Sequence, residues 1–411
     1  MNVLYVSNSF SFTPTHASAV TTYEIVRGLA KKGHKVTMLV PNPEGYASVR
    51  QRAKESARLE NVDVVSAVSV SANSAPEGLL YFGLSCSVLF VPLIIKAVKR
   101  KNFNVVISMY HPTHLATLAG LLIARVLKLP LFVKVHDLVP EVDDPNFFRR
   151  VYKKAVFRLY SFFLKRGDVF LVPSVEWMSL LVRLYGVDEK RVVLFPNGVD
   201  AAKFRPNVDC EGLRSELGLE GNKVVLYMGR ISRIRALNCL VKALPRVVKE
   251  EPAVRLVFVG DGEERERLAN LSKSLGVDRF VLFVDEVAHD AIVRYICLAD
   301  VAVGPLIALP VTVGTLPIKV LEYMACGKPV IACYEGASKD LVVDGYNGLL
   351  ISSGSVEELG SAIVRLLKDE GLTEKLGVNA RRHVERFHDW NVITDRLDKM
   401  LSKIVRNRMQ N

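Results

Sequence analysis

The stretch MNVLYVSNSFSFTPTHASAVTTYEIVRGLAKKGHKVTMLV, residues 1–40, decides the fold that the sequence predicts. Short apolar runs at 3–6 and 36–40 are typical of buried strands, and the apolar residues of 19–32 recur at helical spacing. A strand, a helix and a second strand in this order form a parallel pair with a right-handed crossover. The chain therefore begins as an α/β protein.

The same alternation of strands and helices continues in two series. The turn Pro196-Asn197-Gly198 ends the first series, and a strand at 223–228 begins the second. Because buried parallel strands need helices on both faces, we predict two Rossmann-like, doubly wound parallel-sheet domains that face a cleft. The other predicted strands lie at 62–65, 104–108, 131–135, 168–172, 191–195, 254–259, 279–283, 300–303 and 329–333.

Length and composition agree with a two-domain chain. The 411 residues exceed one ordinary core, and half of them are hydrophobic. We predict an N-terminal domain over 1–197, a C-terminal domain over 198–388, and a closing helix over 389–411 that returns to the N-terminal domain. The N-terminus has no features of a secretory signal, and the six cysteines form no CxxC pair. We therefore expect a cytoplasmic protein with reduced thiols.

The formal net charge of +12 predicts an anionic partner. No RNA-binding aromatic motif, zinc-finger spacing or helix-turn-helix pattern is present, so we expect no nucleic-acid partner. The helix predicted at 146–166 either lies on an anionic membrane surface or presents a solvated face above the sheet. Its stretch holds seven basic residues and no acidic one between Pro145 and Gly167: Arg149, Arg150, Lys153, Lys154, Arg158, Lys165 and Arg166.

An uncharged run at 78–95 raises the question of a membrane span. A spanning helix needs about 20 mainly apolar residues. This run has eighteen and includes Gly83 and Pro92. We therefore favour a domain helix that is buried or touches the membrane surface over a helix that crosses it.

Two loops of the second series carry residues suited to phosphate groups. The strand at 223–228 ends in Gly229-Arg230, and Arg235 follows before the next helix. The second loop, Gly314-Thr315-Leu316-Pro317, precedes a helix that carries Lys319 and Glu322. Guanidinium groups can clamp a diphosphate, N–H groups at a helix start hold phosphate oxygens, and Glu322 can accept from a ribose diol. The alternative is a solvated basic turn and an ordinary helix.

Several segments resemble the family 4 glycosyltransferases, and the resemblance covers nearly the whole chain. It implies the GT-B fold, with an acceptor-binding N-terminal domain and a C-terminal domain that binds a nucleotide-sugar donor. The segments that carry it are Leu316–Ala332, similar to the donor-site signature, and four shorter ones: Gly33–Thr37, Phe195–Asp200, Val259–Gly262 and Asp344–Leu349.

The resemblance also implies roles for individual side chains. Arg230 and Arg235 would stabilise the donor phosphates, Glu322 would bind the ribose hydroxyls, and His136 matches a histidine near the transferring sugar. The implied catalytic residues are thus His136, Arg230 and Arg235. The implied donor-binding residues are Ala17, Gly229, Gly314, Thr315, Leu316, Lys319 and Glu322.

The chain departs from the family pattern at three places. Gly314 stands where an acid usually contacts the donor sugar, and the backbone amides of 314–316 are the expected substitute. His16-Ala17 replaces the usual Gly-Gly near the donor phosphate. Arg235-Ala236 replaces a Lys-Gly pair.

The resemblance implies a retaining transferase of the hexosyl or N-acetylhexosaminyl type, with a UDP-linked donor. It also implies a glycan or lipid-linked acceptor. Contact of the basic stretch at 146–166 with an anionic leaflet would place the protein peripherally on the inner face of the cell membrane. Preorganised cations and amides can stabilise a leaving diphosphate without a metal. The acidic run Glu141-Val142-Asp143-Asp144 fits no metal-binding pattern, so we expect no metal and no cofactor apart from the nucleotide sugar as co-substrate.

Two alternatives remain open at the level of sequence. One is a sugar-nucleotide epimerase or another enzyme on the same fold, although no motif for a lysine-bound cofactor is evident. The other is a catalytically silent sugar-nucleotide-binding or membrane scaffold protein. Gly314 and the His16-Ala17 loop favour that second alternative.

Overall fold

The computed structural model describes residues 1–7, 17–40, 60–66, 102–110, 116–136, 138, 164–304, 306–307, 314 and 316–410, together with positions 150, 151, 154, 157, 158, 161 and 162. The chain divides into two compact units. The first comprises Met1–Pro196 together with Ile393–Asn411, and the second comprises Asn197–Val392. Each unit is built on one parallel sheet.

The sheet of the first unit has the strand order β3-β2-β1-β4-β5-β6-β7. All residues of β4, β5 and β6 are buried, as expected where helices cover both faces of a sheet. The strands are β1 (Asn2–Val6), β2 (Lys35–Val40), β3 (Val62–Ser66), β4 (Val105–Tyr110), β5 (Leu131–Val135), β6 (Val169–Val172) and β7 (Val192–Leu194).

The first unit includes helices α1 (Ala17–Lys31), α2 (Ala116–Val126) and α3 (Val175–Tyr185). Helix α1 joins β1 to its parallel neighbour β2, which is the crossover that residues 1–40 predict. Ser174 is the N-cap residue of α3 and its side chain accepts from the Trp177 N–H, and Gly186, with a φ of 60°, is the C-cap residue. Both ends are capped as helix ends usually are.

The sheet of the second unit has the strand order β10-β9-β8-β11-β12-β13. Its strands are β8 (Lys223–Met228), β9 (Val254–Val259), β10 (Val281–Val284), β11 (Val301–Val303), β12 (Val330–Cys333) and β13 (Leu349–Ile351). Its helices are α4 (Glu211–Glu216), α5 (Asn238–Glu250), α6 (Arg265–Ser274), α7 (Ile292–Leu298), α8 (Ile318–Ala325), α9 (Val356–Lys368) and α10 (Glu370–Phe387).

Strand β8 lies between β9 and β11, so the strand order reverses beside it. In open parallel sheets, ligands bind outside the carboxyl ends of the strands at such a reversal. Gly229 follows β8, Gly260 follows β9, and helix α8 precedes β12 along the chain. The topology therefore predicts a ligand site at the carboxyl ends of the strands, where these two glycines lie.

The last helix, α11 (Trp390–Gln410), has its residues from Ile393 onward in the first unit. A Cβ on Gly28 of α1 would collide with the Thr394 side chain, so the glycine permits close packing of the two helices. The imidazole Nε2 of His34 lies 2.9 Å from a carboxylate oxygen of Asp398. Buried apolar residues recur every four positions along α11: Ile393, Leu397, Leu401 and Val405.

Candidate functional site

Lys319, in the first turn of α8, is held against the end of β8. Its ammonium donates to the Tyr227 hydroxyl at 2.9 Å and lies 4.2 Å from the centre of that ring. A Cβ on Gly229 would come within 2.6 Å of the Lys319 Nζ, so the glycine makes room for the cation. Burial lowers the pKa of Lys319 to about 7, with a smaller contribution in the same direction from Arg235. An anion beside Nζ would meet a poorly solvated charge, which strengthens their attraction.

The loops after β8 and β9 lie very close together. Gly229 has a φ of 119°, Gly260 of 132° and Gly262 of 156°, values that favour glycine. A Cβ on Gly260 would collide with the Gly229 carbonyl oxygen, and one on Gly262 with the carbonyl oxygen of Ile231. These glycines therefore allow the two backbone segments to lie close together, and Gly229 also makes room for Lys319.

Arg230 and Arg235 occupy the turn that follows Gly229. The Arg230 side chain is largely exposed, and its Nε lies 3.6 Å from Glu263 Oε2. Its carbonyl oxygen accepts from the Tyr227 hydroxyl at 3.1 Å. Arg235 ends a short 3-10 helix, Arg233–Arg235, and Ala236 then adopts a left-handed φ of 52°. Glycine is the residue that this backbone position favours.

Glu322 lies one turn beyond Lys319 and is buried. Its Oε1 is 3.2 Å from the imidazole Nε2 of His289. The next residue, Tyr323, is also buried, and its hydroxyl accepts from the Met228 backbone N–H at 2.9 Å. This bond joins α8 to the last residue of β8, so the helix that carries Lys319 and Glu322 is fixed to the strand that precedes Gly229.

The turn before α8 contains three of the predicted donor-binding residues. Gly314 and Leu316 are buried, and the Leu316 carbonyl oxygen accepts from the Asn197 side-chain amide at 3.1 Å. Thr315 lies outside the described residues. Pro317 occupies the N-cap position of α8, and its side chain accepts no hydrogen bond from the first-turn N–H groups.

The structure brings Gly229, Arg235, Lys319 and Glu322 together in the second unit, with Arg230 exposed beside them. Ala17 and His136 belong to the first unit. Ala17 is the first residue of α1, and His136 follows β5, where its N–H donates to the Tyr110 carbonyl at 3.1 Å. His16 and the acidic run 141–144 lie outside the described residues.

Two residues of the site were not predicted. Tyr227 supports both Lys319 and the Arg230 carbonyl, and His289 contacts Glu322. Tyr227 is an aromatic residue within a predicted strand, where such residues are common. His289 is 33 positions from Glu322 along the chain. Neither carries a local signal, because both roles depend on how the loops fold together.

No group of three or more potential metal-ligating side chains occurs within the described ranges. Helices that are long and apolar enough to cross a membrane are likewise absent from the residues that the structure covers. The uncharged run 78–95 is outside those residues.

Two families match the chain, each over a different part. Residues 18–203 match the family described as Glycosyltransferase Family 4, and residues 211–383 match the family described as Glycosyl transferases group 1. The second match contains the whole cluster from Tyr227 to Glu322. The first contains Ala17's neighbours in α1 and His136.

Curated relatives match over about half of their own length. The D-inositol 3-phosphate glycosyltransferase of Nocardia farcinica is 30% identical over 232 residues, which are 54% of this chain and 50% of the relative. Sulfoquinovosyl transferase SQD2 of Arabidopsis thaliana is 27% identical over 283 residues, which are 68% of this chain and 52% of the relative.

Solved structures match over nearly the whole chain. Anabaena HepE in complex with UDP has a TM-score of 0.74 and 19% identity, with 98% of this chain and 99% of that chain covered. Sucrose-phosphate synthase from Thermosynechococcus elongatus has a TM-score of 0.75 and 20% identity, with 98% of each chain covered. These similarities and the two parallel sheets confirm the predicted GT-B fold class of two Rossmann-like domains.

Proposed function

The chain belongs to the family 4 glycosyltransferases, and on that premise we propose that it transfers a sugar from a nucleotide diphosphate sugar to an acceptor. The observation that carries the proposal is the cluster at the end of β8. It combines a half-buried cation, close-packed glycine loops and a buried carboxylate one helical turn from the cation. These are the groups needed for a diphosphate and a ribose.

The chemistry that this cluster suits is departure of a nucleoside diphosphate. Negative charge develops on the leaving phosphate, and donors fixed in advance stabilise it without reorganisation. Lys319, Arg230 and Arg235 are the cations that we assign to this task, and the 314–316 amides are the neutral donors. We further propose retention of the anomeric configuration and a catalytic role for His136, both of which rest on the family resemblance.

UDP is the carrier that we propose, and a hexose or N-acetylhexosamine is the sugar. The support is that the Anabaena HepE structures hold UDP and UDP-glucose. A panel of sugar nucleotides, incubated with purified protein and a lipid extract, tests the proposal. We expect release of nucleoside diphosphate that requires both a matching donor and the extract.

The same panel separates the two alternatives. Donor binding without turnover for every donor and acceptor would favour a silent binding protein. Conversion of the donor without acceptor, and without release of nucleotide, would favour an epimerase.

Site variants test the residue assignment. Arg230→Ala and Glu322→Ala should each weaken donor binding by about tenfold or more, because each removes a hydrogen bond to or from a charged group. Arg267→Ala, an exposed arginine of α6, is the matched control and should leave binding unchanged. Unchanged affinity in both site variants would contradict the assignment.

We also propose that the first unit docks on an anionic membrane surface and that the acceptor is lipid-linked. Its described basic residues Arg150, Lys154 and Arg158 are exposed. Phe162, four positions after Arg158, is 55% exposed, and the Arg166 guanidinium lies 3.7 Å from the centre of its ring. Cations flanking an exposed aromatic side chain are typical of helices that lie at a membrane interface.

Vesicle flotation tests this surface. The wild-type chain should float with vesicles rich in phosphatidylglycerol and not with pure phosphatidylcholine. Replacing Arg150, Lys154 and Arg158 by Gln should reduce the bound fraction several-fold. The control replaces three exposed cations of α11, Lys399, Lys403 and Arg406, by Gln. Equal losses in both variants would indicate attraction by net charge alone.

We propose that the nucleotide sugar is a co-substrate and that catalysis requires no metal. The support is the number of cationic and amide donors at the cluster, which can neutralise the leaving diphosphate. Activity should therefore persist in excess EDTA. Loss of activity in EDTA that Mg²⁺ or Mn²⁺ restores would contradict this proposal.

A further inference from the structure

A chain of three side chains ends at Glu322. The Lys203 ammonium lies 3.0 Å from the imidazole Nδ1 of His289, and the His289 Nε2 lies 3.2 Å from Glu322 Oε1. All three residues belong to the second unit. Lys203 and His289 stand 86 positions apart in sequence, so the fold rather than local geometry brings them together.

The direction of the hydrogen bonds in this chain follows from the chemistry of lysine. An ammonium group can only donate, so the His289 Nδ1 must accept and carries no proton. The proton of the neutral ring is then on Nε2, which donates to the Glu322 carboxylate.

The imidazole ring is also held by contacts that do not involve Glu322. Buried Phe204 packs edge-on against it, with ring centres 5.7 Å apart and an interplanar angle of 68°. Lys203 also donates a hydrogen bond of 2.8 Å to the exposed Asp290. That bond also lowers the pKa of the Asp290 carboxyl group. The His289 ring is therefore in contact with Phe204 and has a hydrogen-bond partner at both nitrogens.

We propose that His289, oriented by Lys203, is a positioning residue that fixes the Glu322 carboxylate for a ribose diol and so makes the site prefer ribonucleotides. The inference rests on the proposed function, because it takes Glu322 as the ribose-binding group. A buried carboxylate needs hydrogen-bond partners, and one that is already oriented loses less freedom when a ligand binds. His289 supplies that partner on Oε1 before any nucleotide arrives.

Binding of UDP and of 2′,3′-dideoxy-UDP, measured by calorimetry, tests the proposal. The wild-type chain should prefer UDP. His289→Phe keeps a ring against Phe204 and removes both hydrogen bonds, so UDP should bind about tenfold more weakly. The dideoxy ligand, which has no diol, should bind with unchanged affinity. His289→Gln offers an amide N–H in place of Nε2–H and should recover most of the preference.

Several results would overturn the proposal. His289→Phe could keep the wild-type preference, or it could weaken both ligands equally, as a structural role would require. Arg294→Ala, an exposed substitution on the neighbouring helix α7, is the matched control.

A second measurement does not depend on nucleotide binding. Nitrogen-15 spectra of labelled histidine, with the His289 signal assigned through His289→Gln, should show the Nε2–H tautomer. An Nδ1–H tautomer would contradict the proposed hydrogen bonds from Lys203 through His289 to Glu322, even if the nucleotide preference were present. If the wild-type chain failed to bind UDP but showed the Nε2–H tautomer, the proposed function would be contradicted. The hydrogen bonds from Lys203 through His289 to Glu322 would still be supported.

Discussion

At the scale of single residues, Lys319 has surroundings that differ from those of a surface lysine. The sequence predicts a cation at this position, but not its environment. The Tyr227 ring and the missing side chain of Gly229 are what place the ammonium in a buried setting. Because burial penalises the charged form, the pKa of Lys319 falls to about 7. The neutral and charged forms are then both populated near neutral pH.

Nucleotide affinity should therefore depend on pH. A bound diphosphate stabilises the ammonium and raises the pKa of Lys319 above its value of about 7 in the free protein. Binding then takes up a proton. Affinity should be highest below pH 7 and should fall by up to about tenfold per pH unit as pH rises, until the pKa of the complex is passed. Calorimetry with UDP between pH 7 and 9 measures this, above the pKa of about 6 of the terminal phosphate. Lys319→Met should abolish the dependence, and an unchanged slope in that variant would contradict the assignment.

Tyr227→Phe should weaken nucleotide binding while leaving the fold intact. The variant keeps the ring under Lys319 but removes the hydroxyl that accepts from Nζ and donates to the Arg230 carbonyl. Loss of about 1 kcal/mol, or roughly fivefold in affinity for UDP, is expected. Tyr346→Phe, at an exposed tyrosine of the same unit, is the control. Equal affinities for wild type and Tyr227→Phe would show that the hydroxyl does not support the site.

At the scale of elements, the strands and helices around the site follow from sequence better than the loops do. The strand at 223–228 and the helix that starts after Pro317 can both be predicted from the local sequence. The three-residue strand β13 is not, because a run as short as Leu349–Ile351 gives no periodicity. The contact between the β8 and β9 loops is equally hidden, since it depends on two glycines that meet only after the sheet forms. A departure noticed in sequence, Ala236 for glycine, has a structural consequence in its left-handed φ of 52°.

Ala236→Gly should stabilise the second unit. A non-glycine residue in the left-handed region costs roughly 1–2 kcal/mol, and the greater freedom of glycine in the unfolded chain offsets part of that gain. A net increase of about 0.5 kcal/mol in the free energy of unfolding is expected, from urea titrations followed by the fluorescence of Trp390. Asn207→Gly is the control, because Asn207 has a φ of 60° but asparagine tolerates this region. A loss of stability in Ala236→Gly would contradict the prediction.

At the scale of the whole molecule, the alternation of strands and helices was sufficient to predict two parallel sheets. The chain order of the strands and the reversal beside β8 were not needed for that prediction, yet they determine where the site lies. His289 and Lys203 illustrate what sequence could not supply, because their roles arise from contacts between distant segments. The same holds for Lys134, which sequence places in an apolar strand and the structure shows fully buried. Its ammonium donates to the Phe195 carbonyl at 3.1 Å, next to the end of the first unit.

Burial lowers the pKa of Lys134 from 10.5 to about 7, which predicts the pH dependence of the first unit's stability. Between these two values the unfolded chain binds more protons than the folded chain, so stability rises with pH through that window. Lys134→Met removes the group and should flatten this rise. Urea unfolding at pH 7, 8.5 and 10, in a Trp390→Phe background, measures it through Trp177, which is buried in the first unit. Parallel pH profiles for the two proteins would contradict the prediction.

The most direct test of the nucleotide site is a crystal structure of the chain with UDP. The diphosphate should lie within hydrogen-bond distance of the Lys319 Nζ and beside the backbone at Gly229. The ribose hydroxyls should donate to Glu322, with His289 still on Oε1. UDP bound elsewhere in the chain, or bound in the second unit without contacting Lys319 and Glu322, would contradict the central claim.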